Sequence, residues 1–199
     1  FRRRLLVQAY SGTLPVDMGN REGECPYPLI TLARGGGDAP ESVIPQSSAP
    51  RPDIELHMHQ GLLENPEPTA DLVVEAAANG GCICVIANTV RSAQELYGQL
   101  VRRVNRDECD LVLFHARFPA WRRAELEKRV LDLFDKRSTL PPGDAERTIR
   151  PNRAILVATQ VIEQSLDVDF DEMFTEIAPI DLVLQRVGRM HRHARPSRP

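Results

Sequence analysis

The stretch that decides the fold is CICVIANTVRSAQELY, residues 82–97. Its first six residues form a continuous apolar run of strand length, as in a parallel strand that is buried on both faces. The residues after it are apolar at helical spacing, and they predict a helix with one face on the core: Ala93, Leu96, Tyr97, Leu100, Val101 and Val104. A buried strand followed by an amphipathic helix is the repeating unit of a parallel sheet.

The same unit recurs on both sides of this stretch. Downstream, the pattern predicts strands at 111–114, 154–158 and 173–177, a helix with Leu126, Val130 and Phe134 on its apolar face, and a helix from 180 to about 191. Upstream, 54–59 alternates like a half-buried strand, and 69–79 reads as a capped helix that ends at a glycine pair. We therefore predict an α/β fold with a mainly parallel sheet and helices on both faces.

The amino-acid composition excludes several classes of protein. The 199 residues are 42% hydrophobic and 27% charged, and the net charge of −3 argues against a wholly basic, histone-like protein. No apolar run approaches the roughly 20 residues that span a bilayer, so no membrane partner is expected. Four cysteines without a disulfide pattern suggest the reducing cytoplasm. The first residue is Phe1 and no signal peptide follows, so we expect a segment of a longer chain.

The chain divides by composition into three parts. Residues 34–52 are rich in Gly, Pro and Ser, and we interpret them as a flexible insertion, because such a segment buries too little apolar surface to offset its ordering entropy. Residues 1–33 are then a lead-in, with a helix predicted within 1–10 and a short strand within 28–33. Residues 53–199 form the main domain. The arginine-rich end of the chain, from 186 onward, reads as a solvated basic tail.

Polar residues follow the predicted strands, where ligands bind in a parallel sheet. Asn88 and Thr89 follow the first strand, His115 and Arg117 the second, and Thr159 the third. Trp121 lies just beyond and could stack on a base, although its place on an amphipathic helix favours core packing.

The strongest local pattern is QRVGRMHRH, residues 185–193. Gln185, Arg189 and Arg192 fall at i, i+4 and i+7, which predicts one stripe on a helix. Gly188 in mid-helix costs up to about 1 kcal/mol relative to alanine, so a close approach is expected there. Two guanidiniums beside a glycine would suit a triphosphate. A basic surface helix explains the spacing equally well.

These segments carry a family resemblance. QRVGRMHRH resembles the last motif, Q-x-x-G-R-x-x-R, of superfamily-2 helicases, and VATQVIEQSLDVDFD (157–171) resembles the motif before it. Gln164 and Ser165 replace the arginine and glycine of the DEAD-box branch. That departure, with APIDLVLQRVGRMHRH (178–193), CVIANTVRSAQELY (84–97) and LFHARFPAWRRAELEKRVLDLF (113–134), is similar to the CRISPR-associated helicase–nucleases of type I systems, the Cas3 family. The resemblance covers about 28–199.

The resemblance implies a single RecA-like domain, the second motor lobe of an ATP-dependent helicase. Such lobes face ATP and Mg²⁺ across a cleft whose other wall is the first lobe. Arg189 and Arg192 match the arginines that reach into this cleft, with Arg192 as the finger on the γ-phosphate. The resemblance also places three further residues on the surface that faces ATP, which we call the nucleotide side: Gln185, Gly188 and Asp167.

The resemblance also implies a track for single-stranded DNA along the strand ends. Thr159 matches a group that touches a nucleic-acid phosphate, and the backbone of the strand would pass Asn88, Thr89, His115 and Arg117. The implied partners are the first RecA-like lobe, the His-Asp (HD) nuclease domain of the same protein, and an RNA-guided CRISPR surveillance complex.

Several catalytic elements are absent from these 199 residues. There is no G-x-x-x-x-G-K-[ST] loop and no adjacent His-Asp pair. The tetrad DECD, 107–110, precedes a strand rather than following one, so we interpret it as a solvated turn and predict no metal site. The chain alone is therefore expected to be inactive. Two alternatives stay open at this point: the second lobe of another superfamily-2 helicase, and a degenerate lobe that serves as a scaffold.

Overall fold

The computed structural model describes residues 30–32, 41–44, 54–61, 65–163, 166–195 and 198. The chain divides into two units, Phe1–Ile54 and Glu55–Pro199. In the first unit, strands β1 (Ile30–Leu32) and β2 (Glu41–Val43) form an antiparallel pair.

The first unit corrects part of the sequence interpretation. Strand β2 lies inside the predicted insertion 34–52, which is therefore not a loop throughout. The rest of that insertion and the helix predicted within 1–10 lie outside the described residues. The division between lead-in and insertion stays a prediction.

The second unit is built on a four-stranded sheet in which every pairing is parallel, in the order β4–β5–β3–β6. Its elements are α1 (Pro66–Ala76), β3 (Gly81–Ile86), α2 (Val90–Arg103), β4 (Asp110–Phe114), α3 (Ala120–Phe134), β5 (Arg153–Ala158), β6 (Glu172–Thr175) and α4 (Ile180–Val187). Short 3₁₀ turns follow α1, α3 and β5. None of the described helices is long and apolar enough to cross a bilayer.

Helices cover both faces of the sheet because its inner strands are apolar on both sides. On one face, Cys82, Cys84 and Ile86 pack with α3 and with four apolar residues after β5: Ile162, Leu166, Val168 and Phe170. On the other face, Ile83 and Val85 pack with α1 and α2. Burial of each apolar side chain stabilises the fold by about 1.5–3 kcal/mol. The predicted α/β architecture is confirmed, with the two β3 cysteines as core residues.

The strand predicted at 54–59 is wrong. These residues form no regular secondary structure, and Leu56 and Met58 are exposed. Alternation of apolar and polar residues favours a strand only where a neighbouring strand and a core face are present, and the described residues supply neither here.

Helix α4 ends earlier than its sequence pattern predicts. It stops at Val187, with Gly188 as its C-cap. The chain then turns back onto Phe170, whose amide donates to the carbonyl of Arg189 and whose carbonyl accepts from the amide of His191. A Cβ on Gly188 would lie 3.4 Å from the carbonyl oxygens of Leu184 and Gln185, so the chain itself does not require glycine there, and the close approach expected at this residue stays a prediction.

Candidate functional site

The parallel sheet brings the polar residues after β3, β4 and β5 to one edge, which we call the carboxyl edge. The amide of Ala87 donates to the carbonyl of Ala158 at 2.9 Å, and the amide of Thr159 donates to the carbonyl of Phe114 at 3.3 Å. Backbone bonds therefore hold the three strand ends side by side. The residues predicted to lie along a DNA track occupy this edge: Asn88, Thr89, His115, Arg117 and Thr159.

Two of the five residues present their side chains to solvent. Arg117 is exposed and has no hydrogen bond or ion pair to any part of the chain that the structure describes. Thr89 is also exposed, and its Oγ1 accepts from the amide of Ser92 at 3.0 Å, which caps α2. The carboxyl edge therefore offers a cation and a hydroxyl to a ligand.

Asn88 and Thr159 are held by the protein instead. Asn88 Nδ2 donates to the carbonyl of Ile177 at 2.8 Å, and its carbonyl accepts from Gln160 Nε2 at 2.9 Å. Thr159 is only 3% exposed. These two residues shape the edge more than they line its surface.

His115 is buried and packed against its own loop. Its ring stacks on Phe118 with 4.1 Å between centroids, and its Nε2 lies 3.2 Å from Gln94 Nε2. Burial lowers the pKa of His115 below its ordinary value, and the charge of Arg117 lowers it further. The imidazole is therefore neutral at physiological pH and positions the loop that carries Arg117.

Trp121 corrects another expectation from the sequence. Core packing was favoured for it, but the side chain is 66% exposed in the first turn of α3. It stands four residues after Arg117, on the chain that leaves the carboxyl edge. An exposed indole four residues after an exposed guanidinium is suited to stacking on a base.

The predicted nucleotide side forms around Asp167. Arg192 Nε donates to Asp167 Oδ1 at 2.8 Å, and the amide of Arg192 donates to Asp169 Oδ1 at 2.8 Å. The Arg192 side chain remains 43% exposed. The guanidinium is thus oriented by a carboxylate and still open to a ligand.

Two further basic side chains lie close to the carboxylate of Asp167. His193 Nε2 lies 3.1 Å from its Oδ1, and Lys136 Nζ lies 3.7 Å from its Oδ2. Burial alone would raise the pKa of Asp167, but His193 and Arg192 outweigh it and hold that pKa below its ordinary value. The carboxylate is ionised at physiological pH and holds these basic side chains together.

Arg189 faces the protein more than Arg192 does. Its Nη2 donates to the carbonyl of Glu163 at 2.9 Å, and its Nη1 donates to the carbonyl of Leu166. Burial lowers the pKa of Arg189, and the nearby charge of Arg192 adds to the effect. Arginine still stays protonated at neutral pH. Arg189 therefore joins the backbone of Glu163 to that of Leu166, the residue before Asp167.

The single helical stripe expected for Gln185, Arg189 and Arg192 is not present, because α4 ends before the two arginines. Gln185 is exposed on α4 and forms no side-chain hydrogen bond within the described ranges. Gly188 lies between them at the end of the helix. Asp167 and the two arginines are brought together, whereas the side chain of Gln185 forms no hydrogen bond with them.

The arginine-rich end of the chain is not a solvated tail. Asp169, fully buried, accepts from Arg195 Nε at 2.6 Å and from Arg198 Nη2 at 3.0 Å. Arg198 Nη1 also donates to Asp171 Oδ1 at 2.6 Å. The alternating aspartates of DVDFD, 167–171, account for the change of sign in the sequence, because they pair with the arginines that follow.

Sequence reasoning missed Arg186. Its side chain is fully buried, and its Nε donates to Glu163 Oε1 at 2.7 Å. The available sequence clue was its place on the inner face of α4, four residues after Leu182 and three after Val183. A charge at such a position requires a buried partner.

Metal ligands are not clustered in this unit. Among the described residues, no three His, Cys, Asp or Glu side chains are grouped as a metal ion would require. Residues 107–109 of the tetrad lie in the turn before β4, where Asn105 Oδ1 accepts from the amide of Asp107 at 3.1 Å, and Asp110 is the first residue of the strand. This turn is at the opposite end of β4 from the carboxyl edge.

Comparison with known proteins decides the family. The profile described as "CRISPR-associated nuclease/helicase Cas3, C-terminal" matches residues 79–195. The chain belongs to the Cas3 family. It corresponds to the C-terminal, RecA-like helicase lobe, as the sequence resemblance implied, and this match excludes the lobe of an unrelated superfamily-2 helicase.

Two Cas3 relatives match nearly the whole chain. The CRISPR-associated endonuclease/helicase Cas3 of Thermus thermophilus is 35% identical over 98% of this chain and 23% of its own length. The protein of the same name from Escherichia coli is 39% identical over 89% of this chain and 19% of its own. The chain thus spans less than a quarter of the length of these relatives.

Two solved structures are similar to this chain. The crystal structure of T. fusca Cas3 with ATP has a TM-score of 0.62 and 35% identity, covering 77% of this chain and 18% of that one. A structure titled "CRISPR RNA-guided surveillance complex, pre-nicking" has a TM-score of 0.65 and 30% identity, covering 85% of this chain and 20% of that one. The fold of the lobe is therefore that of Cas3.

Proposed function

We propose that this chain is the second motor lobe of an ATP-dependent translocase that moves on single-stranded DNA in CRISPR antiviral defence. The observation that carries the proposal is Arg192, an exposed guanidinium that Asp167 orients. It lies on a lobe whose relative is known with ATP. A cation held in place and open to solvent is what stabilisation of a transferring phosphoryl group requires.

The nucleotide side is a half-site. Arg192 meets the γ-phosphate as an arginine finger, Arg189 and Asp167 keep it oriented, and Gln185 and Gly188 contribute the adjoining surface of α4. Mg²⁺, when bound, neutralises charge on the phosphate oxygens. The described residues of this chain offer no carboxylate cluster for that ion. The phosphate-binding loop and the metal ligands then come from the first RecA-like lobe.

The carboxyl edge holds the DNA. Arg117 and Thr89 contact backbone phosphates directly. The hydroxyl of Thr159, which is uncharged and nearly buried, adds a weaker contact with a phosphate. Asn88 and His115 hold the loops that carry them. Trp121 stacks on a base, which grips a strand without reading its sequence.

The remaining partners follow from the family. The first lobe and the HD nuclease domain lie in the same protein, and an RNA-guided surveillance complex delivers the opened target. A neighbour's structure title that names such a complex supports this last assignment. The described cysteines are all free and buried, which suits the reducing cytoplasm.

Steady-state phosphate release by the full-length protein tests the proposal. We expect hydrolysis of ATP that single-stranded DNA stimulates more strongly than RNA or duplex DNA of the same length. The 199-residue chain alone should release no phosphate above background. Equal rates with and without DNA would contradict the motor function and favour a scaffold, and turnover by the isolated chain would contradict the half-site.

A further inference from the structure

Arg186 links the two sides of the proposed motor. Its guanidinium makes contacts in three directions from a fully buried position. Nε donates to Glu163 Oε1 at 2.7 Å, while Nη1 donates to Thr175 Oγ1 at 2.6 Å. Nη2 reaches Asn88 Oδ1 at 3.3 Å. One rigid group thus joins the ends of β3 and β6 to the segment after β5.

The contacts of Glu163 extend the link toward the nucleotide side. The Glu163 side chain is 5% exposed and binds Arg186, while its carbonyl accepts from Arg189 Nη2 at 2.9 Å. Arg189 also binds the carbonyl of Leu166, the residue before Asp167. A shift of Arg189 therefore reaches Arg186 through Glu163 alone, and a shift of Asp167 reaches it through Leu166, Arg189 and Glu163.

The contacts of Asn88 extend the link toward the DNA side. The backbone amide of Asn88 donates to Glu176 Oε2 at 2.7 Å, and its backbone carbonyl accepts from Gln160 Nε2 at 2.9 Å. Asn88 precedes Thr89, and Gln160 follows Thr159. Two of the three strand ends that we assign to DNA, those of β3 and β5, are therefore linked to the guanidinium of Arg186.

We infer that Arg186 is a positioning residue that couples nucleotide binding to single-stranded DNA binding, an inference that rests on the proposed function. The path from Asn88 through Arg186 and Glu163 to Arg189 is buried or partly buried, where charges are least screened by solvent. Coupling is reciprocal, so nucleotide must change DNA affinity by the same factor as DNA changes nucleotide affinity.

The test is Arg186→Lys in the full-length protein. Lysine keeps the charge, but its single ammonium cannot reproduce the planar fork that reaches three partners. We expect stimulation of ATP hydrolysis by single-stranded DNA to fall by about fivefold or more. The basal rate should change less than twofold. The effect of a non-hydrolysable ATP analogue on DNA affinity should shrink by a similar factor.

Thr175→Val is the second variant, because it removes one acceptor without leaving a buried charge unpaired. Thr175→Val should show a smaller loss of stimulation by DNA than Arg186→Lys. If Arg186→Lys does not fold, Thr175→Val alone tests the coupling role of Arg186. Arg103→Lys is the matched control, since Arg103 binds Asp71 at 2.7 Å at the other end of α2. Its stimulation should equal that of the wild type.

A purely structural role gives a different result. Thermal stability, the basal rate of ATP hydrolysis and the DNA-stimulated rate would then fall together. The ratio of the stimulated rate to the basal rate would stay constant. An unchanged ratio in Arg186→Lys and Thr175→Val overturns the coupling role while the motor function stands. A wild-type protein that DNA does not stimulate contradicts the motor function itself.

Discussion

The carboxylate of Asp171 accepts a hydrogen bond from the amide of Cys82 at 2.8 Å, which ties the start of β6 to the start of β3. The same oxygen accepts from Arg150 Nη2 at 2.8 Å. Arg198 binds the other oxygen, and the Asp171 side chain is only 10% exposed. One ionised group therefore joins the edge of the sheet to the segments before and after it.

This arrangement predicts a dependence of stability on acid. Burial would raise the pKa of Asp171, but Arg150, the Cys82 amide and Arg198 hold it below its ordinary value of 3.8. A lowered folded pKa stabilises the fold above the unfolded value, and this contribution is lost as pH falls through the folded pKa. The unit should therefore lose stability below about pH 4.

Asp171→Asn tests this dependence. We expect a loss of about 3 kcal/mol at pH 7, because the half-buried guanidiniums of Arg150 and Arg198 each lose a charged partner. The variant should also show a shallower loss between about pH 5 and pH 3. Amide exchange of β3 in the full-length protein reports the change locally. The control is Asp132→Asn, whose more exposed pairs with Lys128 and Arg137 should contribute less than about 1 kcal/mol. Equal effects of the two variants would contradict the role of Asp171.

Local sequence pattern predicted the sheet better than the site. Strands β3 and β5 were found because a strand buried on both faces must be a continuous apolar run, and Ala158 ends the run of β5. The end of α4 was missed because Val183, Val187 and Met190 continue the helical spacing. Met190 instead forms a bridge with Phe170, a contact distant in sequence. No local pattern encodes such a partner.

The sequence pattern also failed to predict which arginines are buried. The sequence offered Arg186 and the terminal arginines as surface cations, since arginine is rarely buried unless it is paired. Their partners Glu163, Asp169 and Asp171 stand 23 to 29 residues away along the chain. Only the fold reveals such pairs.

The carboxyl edge predicts two different effects on DNA binding. Arg117→Ala should weaken binding of single-stranded DNA and reduce the salt slope, d log K/d log[salt], by about 0.7, because one fewer counterion is released. Thr159→Ala should weaken binding less, since the residue is nearly buried, and it should leave the slope unchanged because threonine carries no charge. Fluorescence anisotropy across a salt series measures both quantities. If Arg117→Ala leaves the slope as in the wild type, the DNA passes elsewhere.

Trp121 predicts a contact with bases rather than phosphates. Trp121→Ala should weaken binding of a single-stranded oligonucleotide by about 1–3 kcal/mol. Binding of an abasic oligonucleotide with the same phosphates should be unaffected, and Trp121→Phe should retain most of the affinity. Arg117→Ala serves as the contrast, since it should weaken both ligands. Equal losses for the two oligonucleotides in Trp121→Ala would assign the indole to a structural or protein contact.

The decisive prediction concerns Arg192. In the full-length protein, Arg192→Ala should lower kcat for DNA-stimulated ATP hydrolysis by about 10³–10⁵. The apparent affinity for ATP should change much less, because the finger stabilises charge that redistributes only in the transition state. Arg192→Lys should rescue little, since a point charge cannot bind Asp167 and a phosphate oxygen as the planar fork does. DNA cleavage that requires translocation should fall in parallel, whereas nicking of DNA that is already single-stranded should persist.

Two further variants separate orientation from chemistry at this position. Asp167→Asn keeps the size of the side chain but removes the charge that holds Arg192, so we expect a smaller loss of kcat than in Arg192→Ala. Arg102→Ala is the control, because Arg102 is an exposed arginine at the end of α2, and its kcat should match the wild type. Phosphate release against ATP concentration, with and without single-stranded DNA, gives kcat and KM for each. A near-normal kcat in Arg192→Ala would mean that the ion pair between Arg192 and Asp167 only stabilises the packing of the end of the chain on the lobe.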